Sequence, residues 1–166
     1  MLINIGEKVF CDIQTSLFTN ENEYGLAVLG HEKLTNKYWI VDIKEDKISY
    51  KSINSDLIKF KNDYEINSIT TNKNNSVRRK LNDYLQALSF IEYEFIAEDS
   101  IVNLKALLYD EKIEFFDDVK DKFDIQLKEY DKEVNQKPII NAVMIAIDKC
   151  KENNTRMLPG FSHVVF

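Results

Sequence analysis

Apolar and polar residues alternate, or nearly so, from Val9 to Thr15, until the polar run Thr19-Asn20-Glu21-Asn22-Glu23 breaks the pattern. Tyr24 to Leu29 is almost wholly apolar and reads as a second strand. A turn through Lys33 to Asn36 leads into Tyr38-Trp39-Ile40-Val41-Asp42-Ile43. Lys47-Ile48-Ser49-Tyr50-Lys51 then reads as a fourth strand, with Lys44-Glu45-Asp46-Lys47 as a tight connection. Strands this closely spaced predict an antiparallel meander.

The period then changes. Asn54 to Asn62 carries Leu57, Ile58 and Lys61 at helical spacing, and Tyr64 to Thr70 alternates as a strand. Val77, Leu81, Tyr84, Leu85 and Leu88 recur at three- and four-residue steps, predicting an amphipathic helix capped by Ser76. A strand over 91–97, a short helix over 102–108 and a strand over 112–116 follow. Two helices come last. Val119, Phe123, Leu127 and Tyr130 mark one apolar stripe, while Ile139, Ile140, Val143, Met144, Ile147 and Cys150 mark the other. Pro138 suits the first turn of the last helix, where a missing N–H costs nothing. A meander feeding strand–helix alternation predicts an α/β fold, a mixed sheet with helices on both faces. The chain reads as a single domain over 1–166, with an apolar irregular tail at 155–166.

Composition narrows the function classes. A 44% hydrophobic share over 166 residues is enough for a real core, and two Pro and four Gly leave no room for a long linker. No run is long enough to span a membrane, and no basic stretch precedes an apolar one at Met1 to Lys8, so a cytoplasmic protein is expected. Cys11 and Cys150 lie far apart among apolar residues and read as small core residues in a reducing compartment. Neither has a CxxC partner, which argues against structural zinc. Twenty-two basic against 28 acidic side chains, a net charge of -6, disfavour nucleic-acid binding by the whole surface, though a local positive groove is compatible with it.

Asp12, in the buried-looking run Val9-Phe10-Cys11-Asp12-Ile13, is the first candidate functional residue. A carboxylate in a core strand costs several kcal/mol unless a cation or hydrogen-bond donors meet it. Such a residue holds a divalent metal, caps a turn or pairs with a lysine. The first strand with its polar loop and the "YGLAVLG" strand resemble the nuclease domain of viral DNA-packaging terminase large subunits, which has a ribonuclease-H-like fold. So do "KYWIVDI" and the closing pattern "KIEFFDDVKDKFDIQLKEYD" followed by "INAVMIAI".

That resemblance implies a divalent-metal endonuclease in which three or four acids hold two Mg²⁺ or Mn²⁺ ions. Hard cations of this kind activate water and stabilise the charge on the reacting phosphate. Carried over position by position, Asp12 takes the place of the first-strand acid. Thr70 or Thr71 takes the place of the acid closing the fourth strand, and Asn141 that of the acid in the last helix. Asp42 is a second weak candidate ligand, and Asp63, Glu65 and Asp148 come into reach under other registers. The set implied is degenerate, and with it a catalytically impaired domain with a structural or DNA-handling role in packaging. The partners implied are double-stranded DNA and other packaging proteins, in a host-cell cytoplasm. An active Mg²⁺- or Mn²⁺-dependent endonuclease is one alternative, and a small acidic protein-interaction or inhibitor protein of a virus or mobile element is the other.

The remaining candidates are weaker. Lys73, Arg78, Arg79 and Lys80 gather near a helix start and suit phosphate contact. Phe161 and Phe166 in the tail suit a protein partner. Asp117, Asp118, Asp121 and Asp124 favour a helix N-terminus and need no metal. His31, in a turn, and His163, in the tail, have no Asp or Ser at a spacing that marks a nucleophilic triad. No Gly-rich phosphate loop is present, so the chain contains no ATPase motor of its own.

Overall fold

The computed structural model describes residues 2–72, 85, 88–132 and 137–156. A hairpin of β1 (Ile3–Ile5) and β2 (Lys8–Phe10) forms its own two-stranded sheet. The main sheet contains β3 (Asp12–Thr19), β4 (Glu23–Glu32), β5 (Lys37–Lys47), β6 (Ser68–Asn72), β7 (Ser89–Tyr93) and β8 (Ile113–Phe115). Its spatial order is β7-β6-β3-β4-β5-β8. β3, β4 and β5 are the antiparallel meander, and β6, β7 and β8 each join in parallel. The described helices are α1 (Tyr50–Tyr64), α2 (Ala97–Tyr109), α3 (Val119–Lys132) and α4 (Pro138–Arg156). Among the described residues, no helix is long and apolar enough to cross a membrane.

Each face of the sheet has its own core. On one side, Leu17, Leu26, Val28, Val41 and Ile69 pack with Ile53, Leu57 and Phe60 of α1. On the other, Phe18, Ala27, Leu29 and Ile40 pack with Ile139, Val143, Ile147 and Cys150 of α4, joined by Phe123 of α3 and Leu104 of α2. β4 is buried over eight of its ten residues because it is covered on both faces, which accounts for its unbroken apolar run.

The predicted mixed sheet with an antiparallel N-terminal meander and flanking helices is present, with local corrections. The stretch read as one strand from Val9 is two, broken at Cys11, where the chain leaves the hairpin and enters the main sheet. Lys44 to Lys47 is not a turn; it prolongs β5 alongside the start of β4. Lys47 to Lys51 is not a fourth meander strand. Ser49 caps α1 by accepting from the Ser52 N–H at 3.4 Å, so the alternation of Ile48 and Tyr50 belongs to a helix entrance. The helix runs to Tyr64 and ends at Glu65, whose left-handed backbone (φ 52°) returns its N–H to the Lys61 carbonyl at 3.0 Å. β6 therefore starts at Ser68, not at Tyr64. The predicted helix from Ser76 to Leu88 lies outside the described residues, apart from Leu85 and Leu88, and so does the tail from Met157, while Thr155 and Arg156, read as the tail's start, close α4.

The seating of α4 depends on Gly25. A methyl group built there would lie 2.4 Å from both the carbonyl carbon and oxygen of Pro138 and 2.7 Å from the Ile139 nitrogen, all of them backbone atoms that cannot swing aside. Gly25→Ala is therefore expected to destabilise the fold by about 2 kcal/mol, the scale of overpacking in a closed core. A urea titration would show it as a lower midpoint at unchanged slope, and an unchanged midpoint would refute it.

Candidate functional site

Period-two alternation sorts the candidate residues by face. Leu17 and Ile69 point into the α1 core, so Ser16 and Thr70 point to the α4 side. The parallel register of β3 and β6 sets these two directly beside each other. Asn141, in the first turn of α4, belongs to the same side of the sheet, with its Oδ1 accepting from the Tyr130 hydroxyl at 3.4 Å. Pro138 lies over Gly25, which pairs with Phe18. At the other end of α4, Cys150 and Asn153 reach Asp12. The helix thus runs antiparallel to β3. Two residues of strand rise from Phe18 correspond to four or five of helix rise, which puts Ser16 level with about residues 141–143.

Ser16, Thr70 and Asn141 are each 0% exposed. The Ser16 and Thr70 hydroxyl oxygens have no hydrogen-bond partner among the described residues. Three neutral side chains thus stand where the central strands meet the last helix. Hydroxyls and an amide supply oxygen atoms but no charge, and a divalent cation must recover its hydration energy mostly from carboxylates. This donor set does not fit Mg²⁺ or Mn²⁺.

Asp12 does not join them. It opens β3, four residues before Ser16 and so about 13 Å away along the strand. Carboxylates that share two ions about 4 Å apart, each at about 2 Å from its ligands, lie within roughly 8 Å of one another. The Asp12 carboxylate is instead hydrogen-bonded on both oxygens. Gln14 Nε2 donates to Oδ1 at 2.9 Å, and Cys150 Sγ (3.5 Å) and Asn153 Nδ2 (3.4 Å) donate to Oδ2. It is partly buried at the strand's start, not enclosed in the middle of a core strand.

Asp42 lies across the sheet. A β-bulge on β5 near Val28 and Leu29 of β4 turns both Val41 and Asp42 towards α1, and the Tyr64 hydroxyl donates to the Asp42 carboxylate at 2.7 Å. It lines an open cleft of about 440 Å³ with Phe116, Asp117, Asp118 and Lys122. The other acids are engaged elsewhere. Asp63 pairs with Lys59, Glu65 ends α1, and Asp148 accepts from Tyr93 (3.0 Å) and Ser100 (2.7 Å), tying α4 to β7 and α2. Among the described residues no group of three or more His, Cys, Asp or Glu side chains is placed to hold a metal ion. Lys73, Arg78, Arg79, Lys80, Phe161 and Phe166 lie outside the described residues.

Sequence reasoning missed Ser16. The pairing of β3 with β6 sets it beside Thr70, a relation between distant segments that the spacing within either strand does not reveal. His31 was also misplaced. It lies in β4, is 4% exposed, and stacks on Tyr38 with ring centroids 4.7 Å apart.

An antiparallel meander with parallel strands added, and a last helix crossing its central strands, defines a ribonuclease-H-like fold. Solved viral nucleases share it. The large terminase nuclease of thermophilic phage G20c superposes with a TM-score of 0.58 at 12% identity, over 82% of this chain and 80% of that one. The nuclease domain of the bacteriophage SPP1 large terminase, solved with bound Mn, gives 0.56 at 18% identity over 84% and 87%. The fowlpox virus Holliday junction resolvase gives 0.52 at 12% identity over 85% and 99%. At these identities the likeness establishes the fold. No protein-family model matches the chain, and no curated protein does.

Burial first, then the nearby Cys150, Asp12 and Cys11, pushes the Tyr38 phenol up from 10 to about 12. The fold therefore favours the neutral phenol. That stabilisation is complete below the unfolded value near pH 10 and is lost as pH rises towards 12. Tyr38→Phe, which keeps the stacked ring, is expected to flatten this alkaline loss of stability in urea titrations between about pH 9 and 11. Parallel curves for the two proteins would count against it.

Proposed function

We propose that this chain is a terminase-nuclease-like domain in which the metal site has become neutral, with a structural or DNA-handling role in viral DNA packaging. The observation that supports it best is the Ser16–Thr70 pair beneath the N-terminal half of α4, two buried hydroxyls in adjacent strands with Asn141 on the same side of the sheet. On this reading Ser16, not Asp12, occupies the first-strand acid position, Thr70 the second and Asn141 the third. Asp12 is a structural carboxylate at the far end of α4. DNA contact, if the role includes it, falls to Lys73, Arg78, Arg79 and Lys80, side chains that position a phosphate backbone without reading its sequence.

Supercoiled-plasmid cleavage at low salt, with Mg²⁺ and with Mn²⁺, tests the impaired site. The expected result is no metal-dependent nicking by the native chain. Nicking that disappears in Asp12→Ala would overturn the reading and make Asp12 a ligand. Nicking that persists in that variant would overturn it equally and point to acids elsewhere in the chain.

DNA handling has its own test. Duplex binding followed across a salt series is expected to weaken in the variant combining Arg78→Ala and Arg79→Ala, with the slope of log affinity against log salt falling by about 2, one for each phosphate contact removed. Binding that is absent, or unchanged in the variant, would remove these arginines from the proposal and favour protein partners, with Phe161 and Phe166 the first surface to test.

A further inference from the structure

A second cluster of chemically active side chains stands at the far end of α4, where β2 gives way to β3. Cys11 occupies the bend and is partly exposed. Its Sγ is 3.4 Å from His31 Nδ1 and 3.3 Å from the His31 carbonyl oxygen. On the other side of the ring, His31 Nε2 is 2.9 Å from Asn36 Oδ1. An amide oxygen only accepts, so Nε2 carries the proton and Nδ1 presents its lone pair towards Cys11 and Asn154. Asn154 Nδ2 lies 3.0 Å from that nitrogen. An amide turned over offers an acceptor in nearly the same place, so Asn154 suits the neutral ring and the protonated one alike.

Thiol, imidazole and orienting amide thus stand in the order that makes a cysteine nucleophilic, with a base within reach and a third group fixing the base's tautomer. The surrounding elements add few ionisable groups. Asp12 is the cross-strand neighbour of His31 on β3; Tyr38 on β5 stacks on the ring; Cys150 comes from α4. The two thiols differ sharply. Cys150 is fully buried, and burial followed by the Asp12 carboxylate holds its thiol well above the usual range. Cys11 has the base and the opening.

We propose that Cys11 is a reactive thiol that undergoes exchange with small disulfides, with His31 as its base and Asn36 as the residue positioning that base. The Cys11 S–H proton passes to His31 Nδ1, and the thiolate attacks one sulfur of the incoming disulfide. A new S–S bond forms at Cys11 as the old one breaks. Its electron pair leaves on the released sulfur, which takes the proton back from His31. Cys11 is oxidised to a mixed disulfide, and the released half is reduced to a thiol.

The test is the rate of reaction of the full chain with the aromatic disulfide dithiobis-nitrobenzoate, with peptide mapping to locate the product. At about pH 6 a free thiol is less than about 1% ionised. Native Cys11 is expected to react about tenfold faster than the same thiol in the urea-unfolded chain, and before Cys150. Asn36 has a left-handed backbone (φ 54°), which glycine also adopts, so Asn36→Gly removes the amide without straining the turn. That variant is expected to fold and to react about fivefold more slowly at Cys11. His31→Gln is expected to abolish the advantage over the unfolded chain. A native rate no higher than the unfolded one, reaction first at Cys150, or an unchanged rate in Asn36→Gly would each overturn the proposal.

Discussion

The close approach of α4 to β4 at Gly25 governs everything on that side of the sheet. Carbonyl and amide groups of Pro138 and Ile139 occupy the space that any side chain at position 25 would need. The contact fixes the height of the helix's first turn, and the antiparallel run of α4 over β3 fixes the rest. Asn141 is set on the same side as Ser16 and Thr70, while Cys150 and Asn153 come down on Asp12 nine and twelve residues later. The two ends of one helix therefore define two separate polar environments, about 14 to 18 Å apart along its axis. A carboxylate at one end cannot serve a cation at the other.

Much of the fold was legible because hydrophobic burial writes itself into sequence wherever one rule applies throughout an element. β4 is apolar from Tyr24 to Gly30 because both faces are covered, and the stripe from Ile139 to Cys150 is helical because one face meets the sheet. The misreadings occur where two rules overlap. Ile48 and Tyr50 alternate like a strand, but Ser49 between them is a helix cap. Val41 and Asp42 turn to the same face because β5 bulges, and nothing within Tyr38 to Ile43 marks the bulge that turns Asp42 towards α1.

The candidate site was less legible for a related reason. Strand register is a relation between two distant segments, and a shift of four residues leaves the face of every side chain unchanged. Asp12 and Ser16 both point to the α4 side of β3, so period alone cannot choose between them. Pairing with β6 separates them: Thr70 has Ser16 beside it, and Asp12 lies outside the paired residues. Ser16 and Thr70 are small hydroxyl side chains in runs that otherwise look like ordinary core.

A neutral set at this position also changes what the fold needs in order to be stable. Three carboxylates gathered at one point repel one another and resist burial until a cation arrives, which couples the stability of such a domain to its metal. Ser16, Thr70 and Asn141 carry no charge and are fully buried, so the helix can close over the strands with no ion to neutralise. The remaining cost is two hydroxyls without partners among the described residues, a smaller penalty than an uncompensated buried charge. Among the described residues, Cys11 and His31 gather instead at the far end of α4.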